Sequence, residues 1–459
     1  MGVACFKRVV FFKRIFNKNK RRFSLKLKLP LILLILVFII RLIFYFEFNN
    51  NYIGSDETAF HNIAKHLVAG EGFIYTKQDN PRLWTDIVYG SKPPLYPYFL
   101  ATIYKFFGIN PSAAMFFQIF ISTATGLLIY LISLKCFSKK VAIISLIFFA
   151  LFWETAILPI TLWAENLYWL LLSFLIYLLV SYRNQKFWYA TLCGITLGLL
   201  SLERPPSISL FLPIALWLLL RKITKEKLVF LFVFLLFSLL TITPWILRNY
   251  SIYHQFAYVY TDGYVNLWMG NNAKTGGWYL APDPKDPNET VKLHTQGPIQ
   301  EIERDRFYAE KAFSYIKAHP VRTLDLDITK VLYAISLTNR AFITNNALYR
   351  TRWVSSVPQS LAIDQFLLQA SSYQFAILMI SFMGTVLFFL INRKQLTHPV
   401  ILLFLFTAWH LLIIGFTHDE PNYAWQIYPM LIPLSAFFLV LVLNAFKKIP
   451  KRIEDVNYK

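Results

Sequence analysis

The chain has 459 residues, of which 56% are hydrophobic and only 15% charged, with 43 phenylalanines and a formal net charge of +21. A soluble chain of this length would sit nearer a quarter charged, so an ordinary soluble globular protein is excluded and a membrane protein indicated. The positive excess is spread over turns that flank apolar runs, which fits membrane topology and anionic lipid contact and argues against nucleic-acid binding.

In chain order, residues 1–28 form a basic segment with ten Lys and Arg. It is too long for a cleaved signal and no small-residue cleavage site follows the next apolar run, so it reads as a cytoplasmic N-terminus. Ten apolar segments then predict transmembrane helices at 29–46, 111–134, 141–158, 163–181, 188–202, 205–220, 228–247, 366–391, 399–416 and 423–446. The resulting expectation is an all-α polytopic fold. A membrane module at 29–247 contains a polar loop at 47–110; a large loop at 248–365, final spans at 366–446 and a tail at 447–459 follow. Lys and Arg crowd alternate short loops, while the turns near 159–162 and 417–422 have none. That bias places both termini in the cytoplasm and the two polar loops outside. The segment 324–343 carries Asp325, Asp327, Lys330 and Arg340 and reads as an interfacial or re-entrant helix. The three cysteines offer no disulfide framework or thiolate metal site.

Polar chemistry gathers in the two loops and at one set of helix ends. In the first loop Ser55 can cap a helix from Asp56 to Ala69, which Gly70 and Gly72 end. Phe60, Ile63, Ala64, Leu67 and Val68 form its apolar face, with Asn62, Lys65 and His66 opposite. Asp56 and Glu57 lie roughly 50° either side of the apolar centre. As first-turn acids they complement the helix dipole; their lean toward the buried side also suits a functional role. The loop ends in "YGSKPPLYPYFL", where Pro93 and Pro94 fix an extended backbone beside Lys92. Lys92 reads as a snorkelling lysine or as a phosphate ligand. Tyr96 is a substrate-binding candidate in the same stretch.

Glu165, at the mouth of the fourth span, is a helix-start acid or a site residue. Glu203 and Arg204 precede a Pro-Pro break and are placed to pair with each other. Arg248 is an interfacial anchor or a second phosphate ligand, and His254 a weak metal candidate. Arg41, inside the first span, must snorkel or find an acid or a phosphate. In "ERDRFYAEKAFSYIKAHP" an amphipathic helix is expected, with Ala309, Ala312, Phe313 and Ile316 as its apolar stripe and its charges as a solvated face.

Taken in order, "SDETAFHNIAKHLVAGEGF", "SKPPLYPYFLATIYKFFG", "LWAENLYWLLL", "LERPP", "TPWILRNY", "GYVNLWMGNN" and "ERDRFYAEKAFSYIKAHP" resemble the GT-C superfamily of polytopic glycosyltransferases. The likeness is to bacterial relatives of the protein O-mannosyltransferases and of the lipid A aminoarabinose transferase, over roughly 50 to 320. It implies a polyprenyl-phosphate sugar donor and transfer at the outer face of a bacterial inner membrane. It also implies a catalytic acid at Asp56 with Glu57 beside it, a phosphate-binding Lys92 and an acidic site residue at Glu165. The acceptor it implies is a glycolipid, protein or polysaccharide hydroxyl. Ser91 stands where the aminoarabinose transferases have a Glu that helps hold a metal, so a divalent metal is possible but not required. Asn422 stands where many relatives have an Arg. Asp56 as base, Lys92 with Arg204 or Arg248 on the phosphate, and Glu165 and Glu57 on the sugar or acceptor form one expectation. A lipid-linked glycan flippase, a glycan ligase or polymerase, and a non-catalytic lipid-sugar scaffold are the alternatives; a carrier should show repeats and charged or broken helices near mid-membrane.

Overall fold

A computed structural model describes residues 28–47, 56–81, 83–182, 187–220, 222–277, 297–335, 361–417 and 425–448, with Tyr423 and scattered positions between 278 and 296. The remaining N-terminal and C-terminal segments, Ser55, Arg340 and Asn422 lie outside the described residues. The helices are α1 (Lys28–Glu47), α2 (Asp56–Ala69), α3 (Leu95–Phe107), α4 (Pro111–Cys136), α5 (Lys139–Leu151), α6 (Trp153–Ile157), α7 (Glu165–Ser181), α8 (Phe187–Glu203), α9 (Phe211–Leu219) and α10 (Lys225–Tyr253). They continue as α11 (Gly263–Met269), α12 (Ile299–Ala318), α13 (Pro320–Ala334), α14 (Leu361–Ile391), α15 (His398–Phe416) and α16 (Tyr428–Lys448). Two short strands, β1 (Tyr75–Thr76) and β2 (Ile87–Val88), pair antiparallel in the first loop, with Tyr75 opposite Val88.

All ten apolar segments fall on helices, but their lengths differ from the expected uniform spans. Among the described residues six helices are long and apolar enough to cross a membrane, and a bent pair makes up to seven. The chain is a multi-pass membrane protein. Large apolar side chains remain exposed along these helices, among them Ile32, Phe232 and Ile380, as lipid rather than water requires. The helices α7 and α8 and the segment 205–219 are shorter apolar pieces. Their inner sides join a continuous core through Trp169, Leu172, Leu197 and Ile214. Gly194 and Gly198, one turn apart, let α8 close on α10: a Cβ at either would lie 2.5 Å from Phe234 O or Thr241 Cβ.

The bent pair explains Arg41. Helix α5 ends at Phe152, and the chain turns by 65° into α6 and a 3₁₀ turn to Ile160, which orphans carbonyls at the end of α5. Arg41 is fully buried there. Its guanidinium donates to Phe149 O at 2.6 Å, Ala150 O at 3.0 Å and Thr155 Oγ1 at 3.1 Å, and its Nε donates to Ser122 Oγ at 3.2 Å. The expectation that Arg41 snorkels or meets an acid or phosphate is corrected: it closes a broken helix.

The segment expected at 324–343 begins as part of α13. Lys330 is buried, with Nζ 2.9 Å from Asp327 Oδ1 and 3.2 Å from Asn271 Oδ1, and α13 packs on α15.

Candidate active site

Helix α2 lies on α3 through Phe60, Ala64 and Tyr96, which sets its first turn over the start of α7. The two acids of that turn then part. Glu57 is buried, and its Oε1 accepts the backbone N–H of Leu162 at 2.8 Å, holding the turn that leads into α7. Asp56 faces open space, and its Oδ1 accepts from Lys92 Nζ at 2.8 Å. Lys92 also lies 5.8 Å over the Phe60 ring. Residue 62, expected on the polar side, is buried instead, and Asn62 Oδ1 accepts from Lys65 Nζ.

A second pair stands nearby. Glu165, 1% exposed at the start of α7, is bridged by Arg204 from the end of α8. The pairing expected between Glu203 and Arg204 is therefore corrected: Arg204 reaches across to Glu165 because the Pro-Pro break turns it away from α8. Glu203 is left buried with neither carboxylate oxygen hydrogen-bonded.

These pairs face one cavity of about 960 Å³, lined by Asp56, Ser91, Lys92, Tyr168, Arg204, Ser207, His410 and Tyr423, and on its far side by Trp84, Tyr260, Asp262, Asn266, Arg304 and Tyr308. That volume suits a small-molecule site. Arg304 makes a third ion pair, 2.6 Å from Asp262 Oδ1, and its guanidinium lies between the Trp84 and Tyr308 rings at 5.2 and 5.4 Å. Three cavity cations thus each carry a carboxylate partner. On the membrane side Nδ1 of His410 donates to Phe406 O at 2.7 Å, which leaves Nε2 to accept the Tyr168 hydroxyl at 3.0 Å. Arg204 Nε is buried with no hydrogen-bond partner.

The other candidates sit elsewhere. Tyr96 is buried behind the wall and its hydroxyl donates to Gln118 Oε1 at 3.1 Å. Arg248 donates to Tyr89 O at 2.8 Å and Phe73 O at 2.9 Å and stacks over Trp245 at 4.5 Å; neither it nor Tyr96 lines the cavity. His254 is exposed at the end of α10 with φ 53°. Among the described residues no group of three or more His, Cys, Asp or Glu could hold a metal ion.

The charges expected as a solvated face over 303–320 divide: Arg306, Glu310, Lys311 and Lys317 are exposed, whereas Arg304 and Asp305 are half-buried against Asp262 and Tyr264. Glu301 is 1% exposed; its carboxylate accepts the backbone N–H groups of Tyr89 and Gly90 at 2.6 and 3.0 Å and the Thr261 hydroxyl at 2.7 Å. Burial pushes the Glu301 carboxyl up to about 7. Asp305, likewise raised by burial to about 7, accepts the Tyr264 N–H at the start of α11. Phe313, expected in the apolar stripe, is exposed, whereas Tyr308 and Ala312 are buried. The face that packs is Glu301, Tyr308 and Ala312, at i, i+7 and i+11, with Arg304 at its edge. Reading that helical spacing for polar as well as apolar residues would have found Arg304.

Residues 91–247, which include Lys92, Glu165 and Arg204, match the family model for Dolichyl-phosphate-mannose-protein mannosyltransferase. No curated protein matches the chain. Among solved structures, the Archaeoglobus fulgidus oligosaccharyltransferase AglB in complex with an inhibitory peptide and a dolichol-phosphate is similar at 14% identity and TM-score 0.53, over 94% of this chain and 52% of that one. The chain has the fold of the GT-C membrane glycosyltransferases. The same archaeal enzyme in complex with Zn and sulfate matches at 13% identity and TM-score 0.51, over 90% of this chain and 49% of that one. ArnT from Cupriavidus metallidurans bound to undecaprenyl phosphate matches at 12% identity and TM-score 0.36, over 90% and 77%. The chain spans about half the length of the archaeal enzyme. Within this GT-C fold the cavity sits where the first loop, the central loop and the ends of α7, α8 and α15 meet.

Proposed function

We propose that the chain transfers a sugar from a polyprenyl-phosphate-linked donor to an acceptor hydroxyl at the outer face of a bacterial inner membrane, with inversion at the anomeric carbon. The observation that carries this is the Asp56–Lys92 pair at 2.8 Å in a cavity that Arg204 also lines. The matched family's description and the dolichol-phosphate in the archaeal complex support a lipid-phosphate donor. The Lys and Arg bias of the turns supports the outward orientation.

In this reading the acceptor oxygen attacks the anomeric carbon while its proton passes to the Asp56 carboxylate. The bond from that carbon to the phosphate oxygen breaks, and the phosphate leaves with the electron pair as the polyprenyl phosphate. A phosphate is a good leaving group, so acid catalysis adds little and base catalysis contributes about 10²–10⁴-fold. Lys92, parting from Asp56, and Arg204 meet the charge that builds on the phosphate. Glu57, fixed on Leu162, and Glu165, fixed on Arg204, hold the geometry of the wall. Lys92 and Arg304, paired with Asp56 and Asp262, bring positive charge to the cavity from side chains.

Comparing cells with and without the gene tests this directly. Mass spectrometry is expected to show one lipid-linked sugar accumulating and the same sugar disappearing from a surface acceptor. Unchanged lipid-linked sugars and surface glycans would overturn the proposal.

A further inference from the structure

The two residues before Ser91 and Lys92 are held more fully than a surface loop requires. Tyr89 and Gly90 together present two N–H and two C=O groups, and all four are bonded to distant elements. Glu301 of α12 takes both N–H groups, Arg248 of α10 donates to Tyr89 O, and the Thr261 N–H donates to Gly90 O at 2.8 Å. The Thr261 hydroxyl closes the set by donating to Glu301 at 2.7 Å. Gly90 is packed so closely that a Cβ there would lie 2.4 Å from the Tyr253 hydroxyl. Beyond Lys92, Pro93 and Pro94 restrict the backbone again. Lys92 is therefore pinned on both sides, and its reach to Asp56 depends on where residues 89 and 90 are docked.

We infer that Glu301 is a positioning residue: by clamping Tyr89 and Gly90 it fixes Lys92 where it meets Asp56 and the donor phosphate. The phosphate part of this rests on the function proposed above; the placement of Lys92 does not. A carboxyl group is suited to the task, because its two oxygens meet the two N–H groups and the hydroxyl together. Glutamine at 301 keeps the size but presents one acceptor and an amide donor, which faces a backbone N–H and leaves the clamp incomplete. The link also ties the central loop, through α12, to a residue of the first loop that lies 209 positions earlier (301 − 92). Arg248 acquires a place in the same set, on the carbonyl side of the clamp.

The test uses the full chain in lipid nanodiscs and two readouts. The first is the acylation rate of Lys92 by an amine-reactive ester, read by peptide mass spectrometry with Lys105 as internal reference. The second is affinity for a long-chain polyprenyl phosphate. Glu301→Gln is expected to raise Lys92 labelling about tenfold and weaken phosphate binding by a similar factor, with Lys105 unchanged. Thr261→Val, a milder change that removes one contact to Glu301, should raise Lys92 labelling about twofold and serves if Glu301→Gln does not fold. Wild-type labelling of Lys92 in the variants, or a rise shared equally by Lys105, would overturn the inference. Lys92→Ala binding the phosphate as tightly as wild type, with labelling still raised in Glu301→Gln, would sink the phosphate reading and leave the positioning of Lys92 standing.

Discussion

Two sets of cations occupy this molecule, and their partners differ. Lys92, Arg204 and Arg304 line the cavity and each rests on a carboxylate. Arg41 and Arg248 lie in the walls and rest on backbone carbonyls and hydroxyls or rings. Lys92 and Arg304 rest on part-exposed carboxylates that they can exchange for a phosphate of like charge, which suits a substrate that comes and goes. Arg204 instead rests on the buried Glu165 and keeps it. A guanidinium on orphaned carbonyls has no such alternative, because its departure would leave buried acceptors unpaired. These five cations thus differ by partner, the cavity ones on acids and the other two on backbone acceptors.

Removing one member of each set is the strongest way to break this division. Arg41→Met strips its partner from Ala150 O, at about 1–3 kcal/mol for a buried acceptor, and one of two from Phe149 O, which keeps the Thr155 hydroxyl. A large fall in apparent melting temperature and yield is expected, and a melt like wild type would contradict the structural role. Lys92→Gln should do the reverse. Lys92 and Asp56 are both partly exposed, so the melt should stay near wild type while transfer slows about 10²-fold, by analogy with loss of one charge-stabilising donor. An assay of sugar transfer in membranes checks this.

The central loop sharpens the comparison through pH. Burial holds Glu301 and Asp305 near 7 in the folded protein, above the ordinary 4.5 and 3.8. The groups facing them are Asp262, Arg248 and Tyr253 for Glu301, and Asp262 and Arg304 for Asp305. The folded chain therefore binds more protons between about pH 4 and 7, and their contribution to stability is lost as pH rises through about 7. Glu301 is worth at most about 3 kcal/mol and Asp305 at most about 4 kcal/mol. The apparent melting temperature should rise on acidification from pH 7.5 to 5.5, and less so in Asp305→Asn; equal profiles would count against buried carboxyls here. The smallest effect is expected at His254. Its φ of 53° favours glycine, so His254→Gly should stabilise by up to about 1 kcal/mol and leave transfer and its metal dependence unchanged. A loss of metal response in that variant would restore His254 as a ligand.

Much of the frame was legible because apolar runs report helices directly: all ten expected segments are helical. Their lengths as spans were less so, since the break at Phe152 lies within an apolar run and carries no proline or glycine to announce it. The partners of Arg41 follow from that break and were hidden with it. The family resemblance places Asp56 and Lys92 in one site, and the fold pairs them across 36 residues. Glu57 was read as a helix-start acid or a site residue; its bond to Leu162, 105 residues on, could not be seen from helix phase alone. Arg304 belongs to a stretch whose charges read as a solvated face, because charge on an amphipathic helix ordinarily means solvent, and Glu301 lies two residues ahead of that stretch. Only the docking of α12 on residues 89 and 90 and on the cavity distinguishes them.

The most direct measurement is sugar transfer in membranes by Asp56→Asn and Asp56→Glu, with melting temperature and polyprenyl-phosphate affinity measured on the same preparations. With Asp56 as the base, the asparagine variant should fold and bind the lipid phosphate yet transfer at background, while glutamate retains part of the rate. Substantial transfer by a folded Asp56→Asn protein would contradict that role.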